Sequence, residues 1–224
     1  MSLAVKNLEV KVGTFFLRVP ELTVGPGEIV GVMGKSGSGK STLLSALGGF
    51  LPDTSGEIWI EGENRTAYFP ERRRLAYVFQ KNSLFPQLTL ERNVAFPLEV
   101  AKVPANEWRP KVHEWLDRLG LGALAERRPD EVSGGEAQRT ALARALVSGF
   151  KVMLFDEPFS ALDPKLRREL RTVVKDLVTK EKLSALWVTH DVDDLAVMNR
   201  VVVLENGGVA WSGAASDLPR DRFF

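Results

Sequence analysis

The chain has 224 residues, 44% of them apolar, enough to fill the core of one large domain or two small ones. Lys and Arg total 30 against 29 Asp and Glu, so no global basic surface points to nucleic acid and no acidic one to a basic partner. Cysteine is absent and histidine occurs twice, which excludes disulfides and thiolate metal sites, argues against a multi-histidine centre and fits a reducing compartment. The N-terminus, Met1 to Val5, lacks a basic segment followed by an apolar core, and no run approaches the ~18 apolar residues of a spanning helix. Solubility is therefore expected, with any membrane role supplied by a partner.

Residues 3–24 alternate as strands, through Leu8, Val10 and Val12, then Phe15 to Val19, then Leu22 and Val24. Gly25-Pro26-Gly27 turns the chain into an apolar strand, Ile29 to Met33, and a helix-like run follows from Leu43 to Leu47. Pro52 to Gly56 is a turn, and Glu57 to Ile60 alternates as an edge-type strand. An antiparallel β layer around the central strand is the expected result. Residues 75–80 read as a further strand ending in a polar residue, and Ser83 to Pro86 as a loop.

A mostly helical section comes next. Trp108, Val112, Trp115, Leu116 and Leu119 share one helical face, so the tryptophans are expected in the core and His113 in solvent. Basic charge does not interleave with these aromatics as a nucleic-acid stacking platform requires. Ala137, Ala141 and Ala145 form a small-residue stripe suited to close helix packing. Lys151 to Asp156 reads as a buried parallel strand, followed by helix 164–182, strand 184–189, a short helix 192–198 and two strands around Glu205 to Gly208. Alternating strands and helices predict an α/β core with a central, partly parallel sheet.

Two stretches carry chemistry. Gly34-Lys35-Ser36-Gly37-Ser38-Gly39-Lys40-Ser41-Thr42 lies between the apolar strand and the first helix and matches G-x-x-x-x-G-K-S. Its glycines let successive N–H groups curl inward to replace water around a phosphate, and the helix opening at Lys40 or Ser41 adds its positive dipole end. Lys40 would reach the terminal phosphates, Ser41 would ligate magnesium, and Thr42 would back that contact. A flexible Gly/Ser turn is the bland alternative; a dinucleotide loop would need glycine where Thr42 stands. Val152 to Phe155 then leads to Asp156 and Glu157, two acids at a strand end where the ligand crevice of such a sheet lies. Neighbours on an extended strand point apart, which assigns Asp156 to the metal and Glu157 to the general base for an attacking water.

Val132-Ser133-Gly134-Gly135-Glu136, followed by Ala137-Gln138-Arg139, resembles the signature motif of ATP-binding cassette proteins, the ATPase subunits of ABC transporters. Gln80 resembles their Q-loop, Ser160-Ala161-Leu162-Asp163 their D-loop, and Val188-Thr189-His190-Asp191 their switch-histidine segment. These motifs occur in the family's order along nearly the whole chain; Val132 and Glu136 depart from the usual leucine and glutamine. The resemblance implies a P-loop NTPase of ABC type, α/β with a mixed central sheet, an antiparallel β layer and a helical subdomain. A RecA-like core with the β layer would cover about 1–82 and 150–224, the helical subdomain about 83–149, with no C-terminal regulatory domain after Phe224.

What the resemblance implies for the site is specific. ATP with Mg2+ would be held by Gly34 to Thr42, with Ser41, Gln80 and Asp156 around the metal. Ser133, Gly134, Gly135 and Glu136 would close over the γ-phosphate of a second copy, Asp163 would lie across that interface, and His190 would contact the γ-phosphate. An aromatic residue would stack on adenine, Phe15 or Phe16, with Phe15 favoured. Gln80, Leu84, Phe85 and Pro86 would flank a groove for a transmembrane permease subunit.

Asn82 to Pro86, Glu91 to Phe96 and Glu157 to Asp163 look like the ATPases of bacterial importers for ferric iron, thiamine, sulfate, molybdate or polyamines. The expected function is ATP hydrolysis that powers import of a small solute through separate transmembrane subunits, at the cytoplasmic face of the inner membrane, with an external solute-binding protein in the same system. Alternatives are an exporter or non-transport cassette, a P-loop kinase, which would leave Ser133 to Gly135 idle, and a non-hydrolysing binding module.

Overall fold

The computed structural model describes residues 2–80, 83–160 and 162–223; Asn82 and Ala161, two positions of the motifs above, lie outside them. In chain order the regular elements begin with β1 (Leu3–Val12), β2 (Phe15–Val24), β3 (Glu28–Met33), α1 (Lys40–Gly48), β4 (Thr54–Ile60), β5 (Glu63–Asn64) and β6 (Leu75–Val78). Then come α2 (Leu90–Val100), α3 (Ala105–Arg118), α4 (Gly134–Val147), β7 (Val152–Asp156), α5 (Pro164–Lys180), β8 (Ser184–Val188), β9 (Arg200–Glu205), β10 (Gly208–Ala214) and α6 (Arg220–Phe223). The chain divides into two compact units, one of residues 1–77, 151–157 and 169–224, the other of residues 78–150 and 158–168.

The first unit is built on two sheets. One has the order β2-β1-β4-β5, with β1 antiparallel to both neighbours; the other, reaching β6, has the order β10-β9-β3-β8-β7-β6. Strand β4 is interior rather than the expected edge, because the two residues of β5 pair with Trp59 and Ile60 along its outer side. Within the mixed sheet β9, β3, β8 and β7 run parallel while β10 closes antiparallel on β9. Parallel strands covered on both faces become continuous apolar runs, and every residue of β8 is buried. Val30, Val32, Leu154, Leu186 and Val188 join Leu43, Leu44 and Leu47 of α1 and Leu8, Val10, Leu17 and Ile58 of the antiparallel sheet in one apolar cluster. Phe155 and Trp187, side by side at 5.4 Å, are also fully buried. The expected helix 192–198 is a 3-10 helix, Val192–Val197, and the expected strand to residue 80 stops at Val78.

In the second unit α2, α3 and α4 pack on one another. Burial of Ala137, Ala141 and Ala145 on α4 agrees with the small-residue stripe, although α4 is buried around most of its circumference. Trp108, Val112 and Leu116 are buried on α3, but Trp115, at one margin of the stripe, is only half-buried beneath Arg118, 4.8 Å from its ring. His113 is not simply solvated: Nε2 stands 3.0 Å from Oε1 of Glu91, a buried residue in the first turn of α2. The packing of α2 on α3 makes this pair, and no spacing in the sequence encodes it.

Candidate active site

Parallel pairing aligns the ends of three strands. Val32 lies opposite Val188, and Val188 opposite Asp156, so β3, β8 and β7 end at one level of the sheet. Each end releases a motif: the loop 34–39 after β3, Asp156 and Glu157 at β7, Thr189 and His190 after β8. This is where open α/β sheets bind ligands. A cleft of about 590 Å³ opens there, lined by Val12, Phe15, Ser36, Gly37, Gly39 to Thr42, Glu157 and His190.

Gly34, Gly37 and Gly39 all adopt positive φ, at 143°, 78° and 107°. Gly34 has no room for a side chain, since a Cβ would fall 2.2 Å from the Leu204 carbonyl oxygen and 2.7 Å from Ser38 Oγ. Gly34→Ala should therefore reduce ATP affinity at least about tenfold and stability by about 1–3 kcal/mol, checked by titration calorimetry and urea denaturation. Unchanged values in both would contradict the fit of this loop. Gly39 caps α1 in the left-handed region without a side-chain hydrogen bond, and no acid occupies the first helical turn. Ser38 Oγ is buried without a hydrogen-bond partner. Such orphaned donors, set in a cradle that glycine keeps open, fit a phosphate.

Lys40 curls back over the loop, its Nζ donating to the carbonyls of Gly34 at 2.8 Å and Lys35 at 2.9 Å. Burial lowers its pKa, opposed by the nearby charges of Glu157 and Asp156. Burial likewise raises the Asp156 carboxyl above its ordinary range, opposed by hydrogen bonds from Tyr77 and Ser41 and by the charge of Lys40. Tyr77 is a site residue that the sequence reading missed: its hydroxyl donates to Asp156 Oδ2 at 3.3 Å, and burial followed by the Asp156 charge keeps the phenol protonated. Its only signal was one aromatic in a short strand. The Ser41 hydroxyl joined to the Asp156 carboxylate is an all-oxygen donor pair, which fits a hard cation that retains several waters. Among the described residues no group of three or more His, Cys, Asp or Glu could hold a metal ion.

Glu157 and Asp156 diverge, though not by strand alternation. β7 stops at Asp156, and Glu157 turns into the left-handed region at φ 45° with its N–H bonded to the Val188 carbonyl. A non-glycine residue held there is uncommon and needs its surroundings to fix it. The turn brings Glu157 Oε1 to 3.1 Å from Nδ1 of His190. Phe15 lines the cleft, whereas Phe16, its neighbour on the alternating strand, is exposed and meets Arg18 instead.

The remaining motif residues belong to the second unit. Ser133 caps α4 and forms a reciprocal box with Glu136, whose Oε2 accepts from Ser133 N at 2.7 Å and Ser133 Oγ at 2.8 Å. The Ser133 backbone N–H is the main cause that holds the Glu136 carboxyl below its usual range. Gly135 lies under Leu166, which a Cβ would strike at 2.3 Å, while nothing lies near Gly134. Asp163 Oδ1 accepts from the N–H groups of Lys165 and Leu166 at the start of α5. Gln80 is exposed after β6. Phe85 is pinned by buried Asn93, which accepts its N–H at 2.7 Å and donates to its carbonyl at 3.0 Å. Asn93 was quoted only as part of a motif, and nothing in its spacing disclosed the pin.

A glycine-lined loop, an acidic strand end and a histidine just beyond a neighbouring strand define a P-loop nucleotide hydrolase. The chain belongs to the ABC transporter family, whose model matches residues 17–160. It is an ABC ATPase cassette that binds ATP. It is 40% identical to the probable sulfate/thiosulfate import ATP-binding protein CysA of Chlorella vulgaris, over 97% of this chain and 93% of that one. It is 42% identical to the Fe(3+) ions import ATP-binding protein FbpC of Brucella abortus, over 97% of this chain but only 62% of the relative's length. The thiamine import ATP-binding protein ThiQ of Escherichia coli is 42% identical, over 88% of this chain and 85% of its own. Among solved structures, the ATP-binding cassette MJ0796, a dimer in a post-hydrolysis state bound to ADP and Pi, matches with a TM-score of 0.84 at 31% identity, over 95% of this chain and 98% of that one.

Proposed function

We propose that the cassette is the ATP-hydrolysing subunit of an importer for a small solute or ion, and that two copies close around ATP to move separate transmembrane subunits. One observation carries the hydrolytic part: three parallel strands deliver Lys40, Glu157 and His190 to one cleft. The importer names of the sulfate, iron and thiamine relatives support the direction of transport. Among the described residues no helix is long and apolar enough to cross a membrane.

In this reading ATP lies with adenine on Phe15 and its phosphates against the amides of residues 34–42. Lys40 exchanges its loop carbonyls for β- and γ-phosphate oxygens, and Ser38 Oγ gains the acceptor it lacks. Ser41 and Asp156, with Gln80, would hold Mg2+, whose charge would offset that of the phosphates. Glu157 takes a proton from the attacking water as its oxygen bonds the γ-phosphorus and the bond to ADP breaks. His190, oriented by Glu157, donates to the γ-phosphate. Ser133, Gly134, Gly135 and Glu136 of the second copy cover the opposite side, with Asp163 at the interface. Phe85, held by Asn93, forms with Leu84, Pro86 and Gln80 the docking place for the permease, next to exposed Phe96 and Val100. Such a cassette works peripherally at the cytoplasmic face of the membrane, with an external solute-binding protein feeding the permease.

Light scattering tests the closure. Glu157→Gln protein is expected to be a monomer alone and a dimer with Mg-ATP, and addition of Ser133→Arg should keep it monomeric while ATP still binds. A dimer that forms without nucleotide, or that survives Ser133→Arg, would contradict the composite site.

A further inference from the structure

Arg171 of α5 is buried among acids that flank His190. Its Nε donates to Asp194, its Nη2 to Asp191 at 2.6 Å, and Nη1 lies 3.9 Å from Asp193. Thr189 ties the same cluster from the other side, its hydroxyl donating to Asp194 and accepting the Asp191 N–H at 3.0 Å. The Thr189 N–H is bonded in turn to Val32 of β3 at 3.2 Å. The residues before and after His190 are thus fastened to one guanidinium and to the strand that leads into the phosphate loop. His190 itself has a side chain 65% exposed, and its contact within the cleft is Glu157. An exposed imidazole has few walls to hold it, so its location is set by the backbone that carries it.

We propose that Arg171 is the positioning residue for His190: its fork onto Asp191 and Asp194 sets where the imidazole stands relative to Glu157 and the nucleotide. Planar, two-carboxylate geometry is what a guanidinium supplies and an ammonium does not. Its catalytic consequence rests on the proposed contact of His190 with the γ-phosphate, but its geometric content does not.

The test uses Arg171→Lys, which keeps the buried charge, and Asp191→Asn, which leaves the Arg171 to Asp194 pair intact. The chain has two histidines, so two imidazoles appear in its NMR spectrum. Both variants should move the His190 resonance and leave that of His113 in place. Turnover should fall about tenfold, as expected for a displacement well under 1 Å, with KM for ATP within about threefold of the parent. In a His190→Ala background the same substitutions should change turnover by less than about twofold. An unmoved His190 resonance, or an equal loss of turnover with and without the imidazole, would overturn the proposal. If His190→Ala leaves turnover intact, the catalytic reading of the histidine falls, and a moved resonance still upholds the clamp.

Discussion

Glu157→Gln should bind ATP with near-parental affinity and lose turnover by roughly 10²–10⁴-fold, the usual contribution of a general base. The substitution is nearly isosteric, so the left-handed turn at φ 45° and the N–H bond to Val188 remain. What disappears is the capacity to accept a proton from water. The amide can still meet His190 Nδ1 at the distance Glu157 holds, 3.1 Å, so the cleft keeps its shape. Phosphate release and nucleotide binding measured on the same preparation separate the two effects. Normal hydrolysis would refute Glu157 as the base.

Lys40→Ala is the second large effect, and it falls on affinity. The Lys40 ammonium is poised over the loop by two carbonyl bonds at 2.8 and 2.9 Å. Charge-assisted bonds to phosphate are each worth about 1.5–3 kcal/mol. Loss of two of them predicts an ATP affinity weaker by at least about 10²-fold, measurable with a fluorescent nucleotide. The fold should persist, because the loop's shape comes from its glycines and from apolar packing beneath α1. Parental affinity would refute the assignment of Lys40 to the phosphates.

These residues were legible because their chemistry is written in contiguous stretches. A phosphate loop needs its glycines, lysine and serine at fixed spacing, and a continuous apolar run that ends in acids betrays a buried strand reaching one end of the sheet. Tyr77, Asn93 and Arg171 were not legible for the opposite reason. Each acts on a partner 79, 8 or 20 or more residues away, and the fold alone decides that they meet. The turn at Glu157 was also hidden, since a left-handed acid carries no compositional mark where a glycine would. Alternation predicts a continuing strand through the acidic pair, whereas β7 ends at Asp156 and Glu157 turns at φ 45°. In the aromatic pair, Phe15 lines the cleft and Phe16 is exposed, as expected of neighbours that face opposite ways on a strand.

The bare start of α1 has a consequence for folding energetics as well as for chemistry. With glycine as the cap and no acid in its first turn, the helix opens on N–H groups that its own side chains leave unsatisfied. On the proposed reading, a bound triphosphate accepts from these N–H groups. Nucleotide at about 100 times its dissociation constant is expected to add about 2.7 kcal/mol to the stability of the folded state, read as a rise in the midpoint of thermal unfolding. In the same reading, the substrate's phosphates supply acceptors that the side chains at the start of α1 do not supply.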